Sequence, residues 1–246
     1  MFYELAITKR TLRDKGILIF LKKFLRYFIY IILAVHFKLT YRKTASIKKL
    51  IDSIFNHSGG IIAPIQVKSE LFELAKLIKK KRPKRVLEIG TMGGGTLFLF
   101  CALAHPQAKI ASIDYCFKNQ EGGYAFWRKY FYRTFVSKRQ KLHLLWGNSH
   151  NFPTVSKVRS LFKDGLDLLF IDGDHSYIGV KQDFENYSPM VKNGGLIILH
   201  DICKHPEELN CHVDKFWHKI KQGKKYLEII ENPKQGWAGI GIIIKS

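Results

Sequence analysis

Two alternating rhythms of apolar residues run along this chain. Short runs rich in apolar residues at 86–90, 109–114, 142–146, 167–172, 195–200, 226–230 and 239–244 are flanked by glycine, proline or charge. That is the pattern of strands buried within a sheet. Between them lie stretches with helical spacing: Leu71, Leu74, Ala75 and Ile78 ahead of Pro83, then Val180, Phe184 and Tyr187 after the fourth run. Such alternation predicts an α/β fold of the Rossmann-like, doubly wound kind, with a mostly parallel seven-stranded sheet. The last two runs are joined by a short polar loop, 231–236, with Trp237 and Ala238 leading into the second. A parallel crossover needs roughly a dozen residues, so these two predict a C-terminal antiparallel hairpin.

Ahead of this pattern, residues 17–37 are mostly apolar but divided by Lys22, Lys23 and Arg26. The uninterrupted part, 27–35, is shorter than the ~20 residues that a bilayer crossing requires. On a helix, Lys22, Lys23 and Arg26 share one face while Phe20, Phe24, Phe28 and Ile31 share another, as in a basic helix lying in a membrane interface. The alternative is a helix packed on the domain or on a second subunit, as in a homodimer. No small-x-small site closely follows the run, so it does not read as a cleaved signal peptide. The chain therefore divides into a helical N-terminal extension, 1–60, and an α/β domain, 61–246.

A length of 246 residues suits one such domain plus the extension. The formal charge of +21 favours anionic partners, whether nucleic acid, lipid headgroups or acidic substrates. Much of it precedes the first strand, from Lys9 through Lys49 and again from Lys76 to Arg85. Cys101, Cys116, Cys203 and Cys211 form no C-x-x-C pair and are too sparse for a disulfide scaffold, which points to reduced thiols and a cytoplasmic protein, peripheral on the inner face of a membrane.

The chemistry starts where the first strand meets its turn, in Val86-Leu87-Glu88-Ile89-Gly90-Thr91-Met92-Gly93-Gly94-Gly95-Thr96. Glycines there let the backbone bend sharply and approach a ligand. A phosphate-binding loop of the G-x-x-x-x-G-K-[ST] type is excluded, because Gly95 is followed by Thr96 with no lysine between. A dinucleotide fingerprint is disfavoured, since Met92 stands where its second glycine belongs. The segment resembles the first motif of class I S-adenosylmethionine-dependent methyltransferases, acid-x-Gly-x-x-x-Gly. That resemblance implies S-adenosyl-L-methionine as cofactor, with Glu88, Gly90, Thr91, Gly93, Gly94 and Gly95 around its methionine part. Asp114, ending the next strand, is placed to accept hydrogen bonds from both ribose hydroxyls. Gly147-Asn148-Ser149 looks like the family's adenine-contacting turn, with Asn148 on the adenine edge and Ser149 beside it.

Two further strands deliver reactive groups to the same edge. Asp167-Leu168-Leu169-Phe170-Ile171-Asp172-Gly173-Asp174-His175-Ser176-Tyr177 ends in carboxylates and an imidazole, and Gly194-Gly195-Leu196-Ile197-Ile198-Leu199-His200-Asp201 ends in His-Asp. Together they are similar to a methyltransferase subgroup that includes macrocin O-methyltransferase-like and cephalosporin-hydroxylase-like proteins. Relatives in that subgroup often hold a divalent cation such as Mg²⁺, which implies Asp172 and Asp201 as metal ligands, Asp172 also beside the cofactor, and His175 as general base. Some relatives carry an acid where this chain has His200. A metal-free enzyme would use His175 or His200 as base, and a histidine of ordinary pKa, about 6.5, suits that role at neutral pH. Cys203, His205, Cys211 and His212 have the residue types of a zinc site, but Val213 onward reads as an amphipathic helix, so zinc is not expected.

These features favour O-methylation of a small hydroxylated acceptor: a sugar, a phenol or a lipid-linked metabolite. One alternative is a nucleic-acid methyltransferase using Lys76 to Arg85 and Arg128 to Arg139 on phosphates and Tyr124, Trp127 and Tyr130 on bases, although no N/D-P-P-Y/F motif is present. Another is a non-catalytic, membrane-associated protein on a methyltransferase scaffold.

Overall fold

The computed structural model describes residues 46–56, 60, 62–115 and 126–246, together with 21, 24, 25, 28, 29, 31, 32 and 35 of an earlier helical stretch; for 126 and 127 it describes the backbone alone. Seven strands build one sheet: β1 (Arg85–Ile89), β2 (Lys109–Asp114), β3 (Lys141–Trp146), β4 (Leu166–Ile171), β5 (Val191–His200), β6 (Tyr226–Ile229) and β7 (Ile240–Ile244). Their order is β3-β2-β1-β4-β5-β7-β6. The first five are parallel, and β7 pairs antiparallel with both β5 and β6. The chain winds outward from β1 to β3, then returns to lay β4 on the other side of β1. That reversal opens a crevice at the carboxyl ends of β1 and β4.

The helices are α1 (Ile47–Asn56), α2 (Lys68–Lys81), α3 (Gly95–Leu103), α4 (Phe126–Tyr132), α5 (Phe152–Leu161), α6 (Tyr177–Tyr187) and α7 (Val213–Ile220). Successive strand side chains point to opposite faces, so each central strand feeds two cores. Leu87, Ile89, Leu169, Ile171, Ile197 and Leu199 pack with Val155, Val158, Val180, Phe216 and Trp217 of α5, α6 and α7. The intervening Val86, Leu168, Phe170 and Ile198 are equally buried, and Phe170 meets Phe100 of α3 edge-on at 5.5 Å between ring centres. On α3, residues 95–101 are all buried, which is why that helix reads as apolar rather than amphipathic. At the end of α2, Arg82 takes a left-handed conformation (φ 46°) and its N–H closes on Ile78 O before Pro83 prevents continuation.

Strand bounds match the runs read from the sequence to within one residue, except that β5 begins at Val191. There an extra pairing, Leu166 with Val191, precedes a register shift, and the exposed residues between carry no apolar signal. The compact unit holding the sheet spans Thr44–Gly123 and Val136–Ser246. Ahead of the sheet, α1 packs on α2 and α3.

A second unit comprises Met1–Lys43 and Tyr124–Phe135. Within it Leu21, Phe24, Leu25, Phe28, Ile29, Ile32 and Val35 are helical and exposed. Phe131, Tyr132 and Phe135 form a ring cluster with centres 5.0–6.0 Å apart. Phe20, Lys22, Lys23, Arg26, Cys116 and Tyr124, and the side chain of Trp127, all invoked above, lie outside the described residues. Among the described residues, no helix is long and apolar enough to cross a membrane.

Gly90 ties the fold to the crevice. Its φ is +87°, and a Cβ there would lie 1.9 Å from the carbonyl oxygen of Asp172. We predict that Gly90→Ala costs at least ~2 kcal/mol, from left-handed strain plus a backbone clash. Gly223→Ala, where φ is +67° and nothing lies within 4 Å, should cost only ~1 kcal/mol. Urea denaturation of both variants checks this, and equal losses would contradict it.

Candidate active site

Three backbone bonds draw the strand ends together. Asp172 N–H donates to Ile89 O at 2.9 Å, Gly90 N–H to Ile113 O at 2.9 Å, and Gly147 N–H to Asp114 O at 3.2 Å. They line up the ends of β1 to β4 along one edge, around a cavity of about 790 Å³. Of the residues singled out in the sequence, Gly90, Asp114, Asn148, Ser149, Asp172 and His175 line it, joined by Met92, Tyr115, His150 and Asn210. That volume is typical of sites for small molecules.

The far wall belongs to Asp114 and the turn after β3. Asp114 Oδ1 accepts from Tyr115 N–H at 2.9 Å. Asn148 Oδ1 accepts from His150 N–H at 2.8 Å, and the Ser149 carbonyl accepts from Tyr187 OH at 2.7 Å, which anchors the turn to α6. His150 Nε2 lies 3.3 Å from Asp183 Oδ1. Hydrogen bonding to that buried carboxylate raises the His150 pKa against the opposing effect of burial.

Glu88, Thr91 and Gly93 to Gly95 sit behind the wall. Gly95 packs against α1 and the segment leading to α2, where a Cβ would lie 2.3 Å from Ile62 O. Glu88 is wholly buried; Ser112 donates to its carboxyl and in turn hydrogen-bonds Thr91. These residues shape the turn from beneath. Burial, and then the nearby Asp172 and Asp114 carboxylates, hold the Glu88 carboxyl well above the usual range, although the Ser112 bond opposes the rise.

The near wall is a cluster of two carboxylates and three imidazoles. Asp172 Oδ1 lies 3.2 Å from His200 Nδ1 and 3.5 Å from His175 Nε2, while its Oδ2 accepts from Gln66 Nε2 at 3.0 Å. Asp201 Oδ1 lies 3.2 Å from His200 Nδ1 and 3.1 Å from His205 Nε2, and Asp201 Oδ2 lies 3.0 Å from His175 Nδ1. Asp201 holds a left-handed backbone (φ 64°), which costs a non-glycine residue on the order of 1–3 kcal/mol and aims its carboxylate into the cluster. Asp174 Oδ1 accepts from Ser176 N–H, and Ser176 caps α6, so neither Asp172 nor His175 serves as a helix cap.

The charges in this cluster hold one another in place. Burial alone would raise both aspartates, but the imidazoles outweigh it and keep both carboxyls well below the ordinary range. Burial alone would lower His175 and His200; bonds to and attraction by the same carboxylates overcome it, pushing His175 up to about 11 and His200 to about 10. The expectation of a histidine with an ordinary pKa is thereby corrected. With both carboxylates ionised, His175 is a held imidazolium rather than a ready base.

Sequence reasoning missed Gln66 and the place of His205 and Cys211. The four residues set aside as an improbable zinc set divide: His205 reaches Asp201, and Cys211 joins His175 and Asp201 within 4.8 Å. Cys203 contributes its carbonyl to His205 Nδ1, and His212 ties α7 to the site through its N–H on His175 O.

With this geometry in place, the comparisons with known proteins are direct. Residues 87–202 match the family described as "Methyltransferase domain". Over those residues, a little under half of the chain, it is similar to methyltransferase domains. It is similar to a Staphylococcus aureus protein assigned as a caffeoyl-CoA O-methyltransferase, with TM-score 0.56, 20% identity, and 90% of this chain and 100% of that one covered. It is also similar to an O-methyltransferase from Bacillus cereus solved with S-adenosylhomocysteine, with TM-score 0.56, 14% identity, and 80% and 91% covered. An uncharacterized protein of Acanthamoeba polyphaga mimivirus is 29% identical over 121 residues, covering 47% of this chain and 50% of its own length. For an uncharacterized protein of Sinorhizobium fredii, 26% identical over 128 residues, the shares are 51% and 14%. The chain thus spans half or less of the length of these two relatives.

Glu88 supplies a pH test of the packing beneath this candidate site. Its folded pKa lies above the unfolded value of about 4.3, so its favourable contribution is complete below that pH. It is lost as pH rises, because the unfolded chain ionises first. Wild-type stability should therefore fall relative to Glu88→Gln as pH rises above about 4, by up to ~1.4 kcal/mol per unit. Denaturant midpoints across that range measure it, and a pH-independent difference between the two proteins would contradict the assignment.

Proposed function

We propose that the protein is an S-adenosylmethionine-dependent methyltransferase acting on a hydroxyl of a small acceptor, such as a sugar, a phenol or a lipid-linked metabolite. One observation carries this: a single cavity runs from Gly90, Asp114 and Asn148 to Asp172 and His175. The Bacillus cereus neighbour, solved with the demethylated product, supports the same choice of donor. Asp114 would accept the ribose hydroxyls, Asn148 the adenine amino group, and the turn at Gly90 and Met92 the methionine part. Reaction is a displacement in line. The acceptor oxygen attacks the sulfonium methyl, a C–O bond forms as the C–S bond breaks, the hydroxyl proton passes to an imidazole, and S-adenosylhomocysteine leaves as a neutral thioether. Holding oxygen and methyl at near-attack distance supplies much of the acceleration.

His175, at the cavity rim and 41% exposed, is the base we assign. A cation fits beside it. One nitrogen of buried His200 and one oxygen each of Asp172 and Asp201 lie within 4.8 Å of one another. When bound there, a dication supplies positive charge that polarises an acceptor hydroxyl and neutralises the carboxylates that hold His175 protonated. His205 and Gln66 steady the two carboxylates from behind, and the Asp201 backbone fixes their separation.

Asp114→Ala should weaken S-adenosylhomocysteine binding by roughly 1–3 kcal/mol in calorimetry, through unpaired ribose hydroxyls. His175→Ala should keep that affinity and slow methyl transfer by on the order of 10²–10⁴. Unchanged affinity in the first, or unchanged turnover in the second, would remove the residue from its role.

We also propose that the N-terminal stretch docks on an anionic lipid surface. Its exposed apolar residues, Leu21 through Val35, are interleaved in sequence with Lys22, Lys23 and Arg26, and the chain carries a net charge of +21. The protein should float with vesicles containing phosphatidylglycerol, less so at high salt, and the double change Leu25→Glu and Ile32→Glu should abolish this. Flotation with neutral and anionic vesicles alike, or a dimer that neither vesicle recruits, would overturn the proposal.

A further inference from the structure

We propose that the Asp172–His200–Asp201 cluster selects a first-row transition-metal dication, of the Mn²⁺, Fe²⁺ or Co²⁺ type, over Mg²⁺. This deepens the methyltransferase reading, but it rests on the cluster itself.

The donor set is one imidazole nitrogen and two carboxylate oxygens, presented by the ends of two neighbouring parallel strands. His200 Nδ1 lies 3.2 Å from an oxygen of each carboxylate, at the focus of both. The ring is 2% exposed, and these two carboxylates are the charged partners of its Nδ1. Two buried carboxylates meeting at one imidazole nitrogen are costly unless a positive charge joins them. Mg²⁺ demands oxygen ligands and parts with its waters reluctantly. Imidazole nitrogen suits the later first-row metals, whose affinity for nitrogen donors rises along the series from Mn²⁺. Close by, a nitrogen of His175, a carboxylate oxygen of Asp201 and Cys211 Sγ lie within 4.8 Å of one another, so the softer character extends beyond His200.

The rival occupant is a proton. An imidazolium at His200 would also neutralise the two carboxylates, and His205 would add a second positive partner for Asp201. A metal displaces that proton, so the two occupants exclude one another and binding separates them.

The full-length protein is freed of metal with a chelator and titrated with MnCl₂, CoCl₂ and MgCl₂ by calorimetry, while Co²⁺ absorption and ¹⁴N couplings in the Mn²⁺ spin-echo spectrum report the ligands. We expect one site per chain, with Mn²⁺ and Co²⁺ at least about tenfold tighter than Mg²⁺, and a directly bonded nitrogen. His200→Asp should remove that nitrogen coupling and lower the preference over Mg²⁺ by about tenfold or more. His200→Gln, nearer in shape, serves if the aspartate does not fold, and should likewise remove the coupling. Equal or tighter Mg²⁺ binding, no saturable binding of any of the three, or a nitrogen coupling that persists in both variants would overturn the proposal. S-adenosylhomocysteine titrated into the same metal-free protein tests the methyltransferase reading separately. Heat with that ligand but no metal selectivity sinks this inference alone.

Discussion

The close approach of Gly90 to the main chain of Asp172 is the constraint on which the site depends. With no Cβ in the way, the end of β1 folds over the end of β4, and the turn that follows stays open toward β2. Asp172 is fixed by its N–H on Ile89 O, so its carboxylate emerges beside the glycine turn rather than a residue further on. Asp114, in register with Trp146 on β3, then faces the same opening. A cavity that joins the Asp114 carboxylate to Asp172 and His175 is the direct consequence.

The reactive side works through opposed charges. Two aspartates at the ends of β4 and β5 would repel one another in a buried place, and three histidines gathered around them relieve it. The same attraction keeps His175 protonated, so a base in this cluster depends on what neutralises the carboxylates. His200 bears on both matters, since it brings a nitrogen donor and a titratable cation to the point where the two aspartates meet.

Much of this was legible in the chain. Strands buried on two faces leave short apolar runs, and their bounds follow to within a residue because glycine and charge punctuate them; β5 began earlier only where an exposed pairing gave no apolar signal. The strand ends announced Asp114, Asp172 and Asp201, since residue order along a parallel sheet fixes which ends share an edge. What stayed hidden depends on three-dimensional proximity. Gln66, His205 and Cys211 come from segments without a motif and reach the cluster only through the packing of α7 and of the segment before α2. Glu88 belongs to a recognisable motif, yet its alternation along β1 turns it into the core, under the glycine turn. The raised pKa of His175 was likewise invisible, because it needs the ring to meet both Asp172, three residues away, and Asp201, at the end of the next strand.

The central claim is that the edge formed by Gly90, Asp114 and Asp172 seats a sulfonium nucleoside. A crystal structure of the protein grown with S-adenosylhomocysteine tests it most directly. The account predicts the ribose hydroxyls on the Asp114 carboxylate and the thioether sulfur facing His175. A nucleoside bound elsewhere, or crystals from saturating ligand with that cavity filled only by solvent, would contradict it.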